Sequence, residues 1–122
     1  NMMKLLLLIS FIFFSSSING QSCDELIKYL QEEQYGTTYT SINSTAISKV
    51  TFYSVLENFS QYYFAVVCFK AGSYSCKSYV YQVGANTKTN YSLSYLNGAG
   101  AAFWKYIQPY HEVLDCGPDF KQ

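Results

Sequence analysis

The chain has 122 residues, a formal net charge of zero, 13% charged residues, one histidine and no arginine. Such a chain is poorly suited to phosphate-backbone binding, which relies on clustered Lys and Arg, and one histidine cannot build a multi-histidine metal site. The length admits one small domain.

Met2, Met3 and Lys4 are followed by Leu5 to Phe14, apolar except for Ser10, and then by Ser15 to Gly20. This is the order of a secretory signal peptide. Ten helical residues rise about 15 Å, half of a hydrocarbon core of about 30 Å, so a transmembrane anchor is the weaker reading. Lipidation of Cys23 is weaker too, because Gly20 stands where a lipobox has Leu or Val. Cleavage is expected after Gly20. It leaves 102 of the 122 residues, with seven lysines against eight acidic residues and a net charge of −1. All 13 tyrosines remain, so the apolar character of the mature domain rests heavily on them. No membrane span is expected once the signal is removed.

Ser22 and Glu25 have capping-box spacing. Leu26, Ile27 and Leu30 form an apolar stripe at helical spacing, and Gly36 is a natural stop. A helix is predicted over 23–34. Residues 36–45, rich in Thr, Ser and Tyr, read as a connection.

Ile47 to Val55 reads as a strand, with a turn at Glu57-Asn58. Tyr62–Phe69 and Tyr74–Val83 are the next two strands. Cys23, Cys68, Cys76 and Cys116 are even in number and lie after the leader, as expected for two disulfides in an oxidising compartment. A four-cysteine zinc site is the alternative, but the chain has no C-x-x-C pair. Of the three possible pairings, Cys23–Cys116 with Cys68–Cys76 is preferred. A three-residue loop Ala71-Gly72-Ser73 would put Cys68 directly opposite Cys76, within disulfide reach. That register places Tyr62, Phe64, Val66 and Cys68 on one face with Cys76 and Val80. Tyr63, Ala65, Val67 and Phe69 share the other with Tyr79, Tyr81 and Val83. Both faces are apolar, so either both are covered or one is a binding surface.

Tyr91, Leu93, Tyr95 and Leu96 suggest a short helix capped by Thr87 or Thr89. After Asn97-Gly98-Ala99-Gly100, the residues Ala102, Phe103, Tyr106, Ile107 and Tyr110 predict a second helix over 100–108. Pro109 and Gly117-Pro118 end regular structure.

Residues 42–110 resemble the KTSC domain, a small module named after the C-terminus of some lysyl-tRNA synthetases. The resemblance is carried by Ser44-Thr45-Ala46-Ile47 leading to Phe52-Tyr53, by Tyr79-Val80-Tyr81 with Val83, and by Leu96, Gly98, Gly100, Phe103, Ile107 and Tyr110 in that order. Gly98 stands where the family usually has Ser, and Trp104 where it often has Asn. The family's own function is unknown; its fusion to a synthetase implies RNA binding as one option.

The expected organisation is a signal peptide over 1–20, an N-terminal helical extension over 21–41, a KTSC-like domain over 42–116 and a tail over 117–122. The fold class is α+β, an antiparallel sheet of about three strands with an N-terminal helix and two short C-terminal helices. The expected function is a secreted or periplasmic, non-enzymatic module for a protein, peptide or glycan ligand, with no cofactor. Tyr79, Tyr81 and Trp104 are its candidate surface, since exposed aromatics stack on bases, sugars or peptides; packing of the tyrosines beneath the C-terminal helices is the competing reading. Two alternatives remain. One is single-stranded RNA binding by tyrosine stacking, disfavoured by the low charge. The other is a small hydrolase or toxin-like effector using His111 beside Glu112 and near Asp115, for which no matching nucleophile is found. Lys77, Lys88 and Lys105 read as solubilising charges. Asn43, Asn58 and Asn90 head glycosylation sequons, which matter only in a host with that machinery.

Overall fold

The structure, a computed structural model, describes residues 20–120. The expected signal peptide lies outside them, apart from Gly20. Helix α1 spans Gly20–Glu33 and is followed by strands β1 (Gly36–Thr40), β2 (Ile47–Glu57), β3 (Ser60–Lys70) and β4 (Cys76–Val83). Then come α2 (Thr87–Ser94), a 3-10 turn (Tyr95–Asn97), α3 (Ala99–Tyr106), a second 3-10 turn (Gln108–Tyr110) and the single-turn α4 (His111–Leu114). The class is α+β, with one antiparallel sheet in the order β1-β2-β3-β4.

The sheet therefore has four strands rather than about three. The extra one, β1, falls in the stretch read as a connection. Its sequence Gly-Thr-Thr-Tyr-Thr has β-branched residues but no apolar alternation, and only Tyr39 is partly covered. A polar edge strand leaves no periodic signal. Two smaller differences follow the same logic. The helix already includes Gly20 and Gln21, so Ser22 lies inside it and cannot cap it; the Ser22 hydroxyl is buried without a hydrogen-bond partner among the described residues. Regular structure also continues past Pro109, which sits in the second 3-10 turn ahead of α4.

Both faces of the sheet are covered. Helix α1 lays Cys23, Leu26, Ile27, Tyr29 and Leu30 against Tyr53, Val55, Phe64, Val66 and Val80. Leu26 and Leu30 are fully buried, and burial of such a side chain contributes roughly 2–3 kcal/mol. That packing, more than intrinsic propensity, holds a helix of this length. The other face, built from Val50, Phe52, Ala65, Val67, Tyr81 and Val83, packs beneath Tyr91 of α2 and Ala102 and Phe103 of α3.

The face assignments expected for β3 and β4 hold, while the register differs by two residues. Cys68 opposes Ser78 and Lys70 opposes Cys76, with a five-residue loop Ala71–Ser75 between the strands. The loop is closed by Ala71 N donating to the Ser75 carbonyl at 2.9 Å, with Gly72 at φ 90°. A shift of two leaves every side chain on its own face, whereas a shift of one would exchange them. Both expected disulfides form. Cys68 reaches Cys76 diagonally at the end of the ladder, with Cα atoms 5.3 Å apart, and Cys23 reaches Cys116 with Cα atoms 5.7 Å apart. The β2–β3 hairpin turns at Asn58-Phe59, both at positive φ, the twist-matched two-residue turn.

Candidate functional site

The three aromatic residues expected to form one surface separate. Tyr81 is 2% exposed and belongs to the core. Its ring meets Phe103 edge-on at 5.5 Å. Its hydroxyl is buried without a hydrogen-bond partner among the described residues. The backbone of Gly117 crosses so close that a Cβ there would stand 2.5 Å from that hydroxyl. Tyr81 is therefore not part of a surface, because the C-terminal segment is drawn over it by the Cys23–Cys116 bond. Burial also pushes its phenol well above the ordinary tyrosine range, chiefly by desolvation.

Tyr79 is half-buried on the same face of β4. Its ring meets Phe69 of β3 at 5.7 Å, and the Lys77 ammonium stands 5.3 Å from its centroid. Trp104, on α3, is 48% exposed. It does not contact Tyr79 through a ring pair; two other rings connect them. Phe69 lies 5.7 Å from Phe120, and Phe120 lies 5.0 Å from Trp104. Phe103 seals the strip from beneath, 5.2 Å from Phe69 and 6.0 Å from Phe120. The site is thus a continuous strip, Tyr79–Phe69–Phe120–Trp104, running from β4 over β3 to α3.

Phe69 shares a face with Tyr79 in the sequence reading and could have been found by that parity. Phe120 carries no such signal, since it follows Gly117-Pro118 in a segment without periodicity.

Beside Tyr79, a cleft of about 260 Å³ is bordered by Asp24, Lys77, Asp115 and the Cys23–Cys116 disulfide. It combines one cation and two carboxylates with Ile27 and Tyr79, and Tyr79 belongs to both the cleft and the strip. A larger cleft of about 400 Å³ lies between the loop Ser41–Ala46 and the segment Tyr95–Gly100. Of the residues that line it, only Tyr95 is titratable, so it lacks an acid–base pair. Its Ser44 hydroxyl is engaged by the backbone, accepting from Ile47 N at 2.9 Å.

Of the groups considered for catalysis, Asp115 borders the cleft beside Tyr79, while His111 and Glu112 do not line it. His111 is exposed on α4, with Nε2 4.0 Å from a Glu112 carboxylate oxygen. All four cysteines are in disulfides, so none is a thiol nucleophile. Among the described residues no group of three His, Cys, Asp or Glu side chains converges on a metal position. Among them, too, no helix is long and apolar enough to cross a membrane.

No family model, no curated protein and no solved structure matches the chain.

Proposed function

We propose that this chain is an exported, disulfide-stapled binding module with a KTSC-like core, and that it recognises an aromatic residue of a peptide ligand on the strip between Tyr79 and Trp104. One observation carries the reading: the strip already holds an aromatic side chain, Phe120, presented by an irregular segment of backbone. A surface that seats a phenylalanine edge-on against Phe69 and tilted against Trp104 has the shape and chemistry to seat another.

Export is supported by the leader-like N-terminal sequence and by two disulfides in so small a domain. The KTSC-like reading is supported by the order of elements from Ile47 onward: strands, a short helix, a break at Gly98 and a helix bearing Phe103. A peptide suits the strip better than RNA. The chain has no arginine, and Lys77, at one end of the strip, shares its cleft with Asp24 and Asp115.

Selection of a random peptide library on the immobilised Phe120→Ala protein tests the reading. Enrichment of Phe, Tyr or Trp at one fixed position, lost on a Trp104→Ala background, is the expected result. Equal enrichment on both backgrounds, or none on either, contradicts it.

A further inference from the structure

The two edges of the sheet are unlike. Along β4, the C-terminal segment Asp115–Gly117 borders the same cleft as Lys77, Ser78 and Tyr79, and the first residue of the strand is fixed in a disulfide. The outer edge of β1 has no such neighbour among the described strands, since β1 pairs only with β2. Four of its five residues are exposed.

The hydrogen-bonding direction of each β1 residue follows from one bond. Ser41 N donates to the Ser48 carbonyl at 2.9 Å, continuing the register in which Thr40 faces Lys49. Residues of an antiparallel ladder alternate between bonding inward and pointing outward. Tyr39 and Thr37 therefore bond to β2, while Gly36, Thr38 and Thr40 turn their N–H and C=O groups to the outer edge. The usual protections of such an edge are missing. From Gln34 to Ser48 the sequence has no charged residue and no proline. The β1–β2 register runs without a bulge. Tyr35, next to the strand, is fully exposed.

We infer that the outer edge of β1 is a self-association surface, and that its partner is β1 of a second copy of this chain. The outward residues are symmetric about Thr38. Antiparallel pairing of two copies on a two-fold axis places Thr38 opposite itself and Gly36 opposite Thr40 of the second copy. Every outward group is then paired, giving roughly six backbone hydrogen bonds. No like charges meet, because the segment has none. Extending the register by one residue sets Tyr35 opposite Ser41 and diagonal to Tyr39 of the second copy, which covers the exposed ring. An edge of five residues buries less than the roughly 1,200–2,000 Å² of a stable interface, so the dimer depends on concentration.

Sedimentation velocity between about 10 μM and about 1 mM, a range suited to a small interface, tests this. Thr38→Pro is the specific variant: the Thr38 N–H points outward, so proline there removes no backbone bond to β2 and only the exposed contact of the Thr38 hydroxyl with the Thr51 hydroxyl at 2.8 Å, which Thr38→Lys removes as well. Thr38→Lys sets two ammonium groups face to face on the axis and keeps the backbone donor. The wild-type chain is expected to pass from monomer to dimer, and both variants to stay monomeric. Amide exchange of Gly36, Thr38 and Thr40 should slow about tenfold in the dimer, with Thr37 and Tyr39 already protected in the monomer. A wild-type chain that stays monomeric over the whole range overturns the inference, as does a dimer that survives Thr38→Lys. Should Thr38→Pro unfold, Thr38→Lys still decides.

Discussion

The Phe120 ring lies 5.0 Å from the ring of Trp104, tilted by 54°. One aromatic group comes from the C-terminal tail and the other from the exposed side of α3. Their contact makes the tail part of the strip and gives the chain's single tryptophan a neighbour that reports on it.

Phe120→Ala should uncover Trp104 without unfolding the domain. Phe120 is only partly buried, so the loss is about 1 kcal/mol, well under that of a core Phe→Ala change. Thermal melting should fall by about 4–8 °C, the usual size for that loss in a domain of this length. Trp104 emission should move to longer wavelength. Unchanged emission would mean that Phe120 does not pack there in solution.

Tyr81→Phe should leave stability unchanged or raise it. The hydroxyl is buried without a hydrogen-bond partner among the described residues, and removing such a group removes a desolvation cost. Gly117→Ala should do the opposite, because the added methyl group meets the Tyr81 ring. Forced overpacking of this kind costs about 1–3 kcal/mol. Chemical denaturation of the two variants gives both signs; a clear loss in Tyr81→Phe would show that the hydroxyl is satisfied.

These residues show how far the sequence reaches. The stripe Leu26, Ile27, Leu30 announces α1 because burial on one helix face recurs every 3.6 residues. The alternation of β3 and β4 separates Val66 from Val67 for the same kind of reason, and it survives an error of two in register. The loop Ala71–Ser75 is longer than the expected three residues because it is closed by Ala71 N donating to the Ser75 carbonyl and by the Ser75 hydroxyl donating to the Ala71 carbonyl, and a lone serine in a polar loop leaves no pattern that marks such a closure. Strand β1 is hidden by being polar and exposed. Alternation puts Tyr79 and Tyr81 on one face but does not say which is covered, since that depends on where the Cys23–Cys116 bond leads the tail. Phe120 was out of reach for the same reason.

The two disulfides should differ in their effect on stability. Their sequence separations are 93 and 8 residues. In the chain-entropy model these loops correspond to about 4–5 and about 2–3 kcal/mol. Replacing Cys23 and Cys116 by Ala should therefore cost more than replacing Cys68 and Cys76. It should also release the tail, so that Trp104 emission shifts in the first variant only. Urea denaturation and fluorescence of the two double variants check both points.

Stability should fall on the alkaline side before Tyr91 ionises in the folded protein. Burial, opposed in part by the neighbouring Ser41 hydroxyl, pushes the Tyr91 phenol up to about 12 from an ordinary value of 10.0. Below pH 10 both states are protonated and the full stability is present. Between about 10 and 12 the unfolded chain loses its proton while the folded chain keeps it, so stability declines by roughly 2–3 kcal/mol over that window. Tyr81, raised still further by burial, adds to the decline. Denaturation from pH 8 to 11, compared with Tyr91→Phe, should show a shallower fall in the variant.

The most direct test of the aromatic strip uses the chain's own tail as ligand. The hexapeptide Gly-Pro-Asp-Phe-Lys-Gln, residues 117–122, is titrated into the Phe120→Ala protein and into the unaltered one while Trp104 emission is followed. In the intact chain Phe120 is tethered at an effective concentration in the mM range, so free peptide competes poorly. The strip account predicts a saturable shift to shorter wavelength in Phe120→Ala, none in the unaltered protein, and none with a peptide whose Phe is replaced by Ala. No response in Phe120→Ala at any soluble peptide concentration, or an equal response to the Ala peptide, would contradict it.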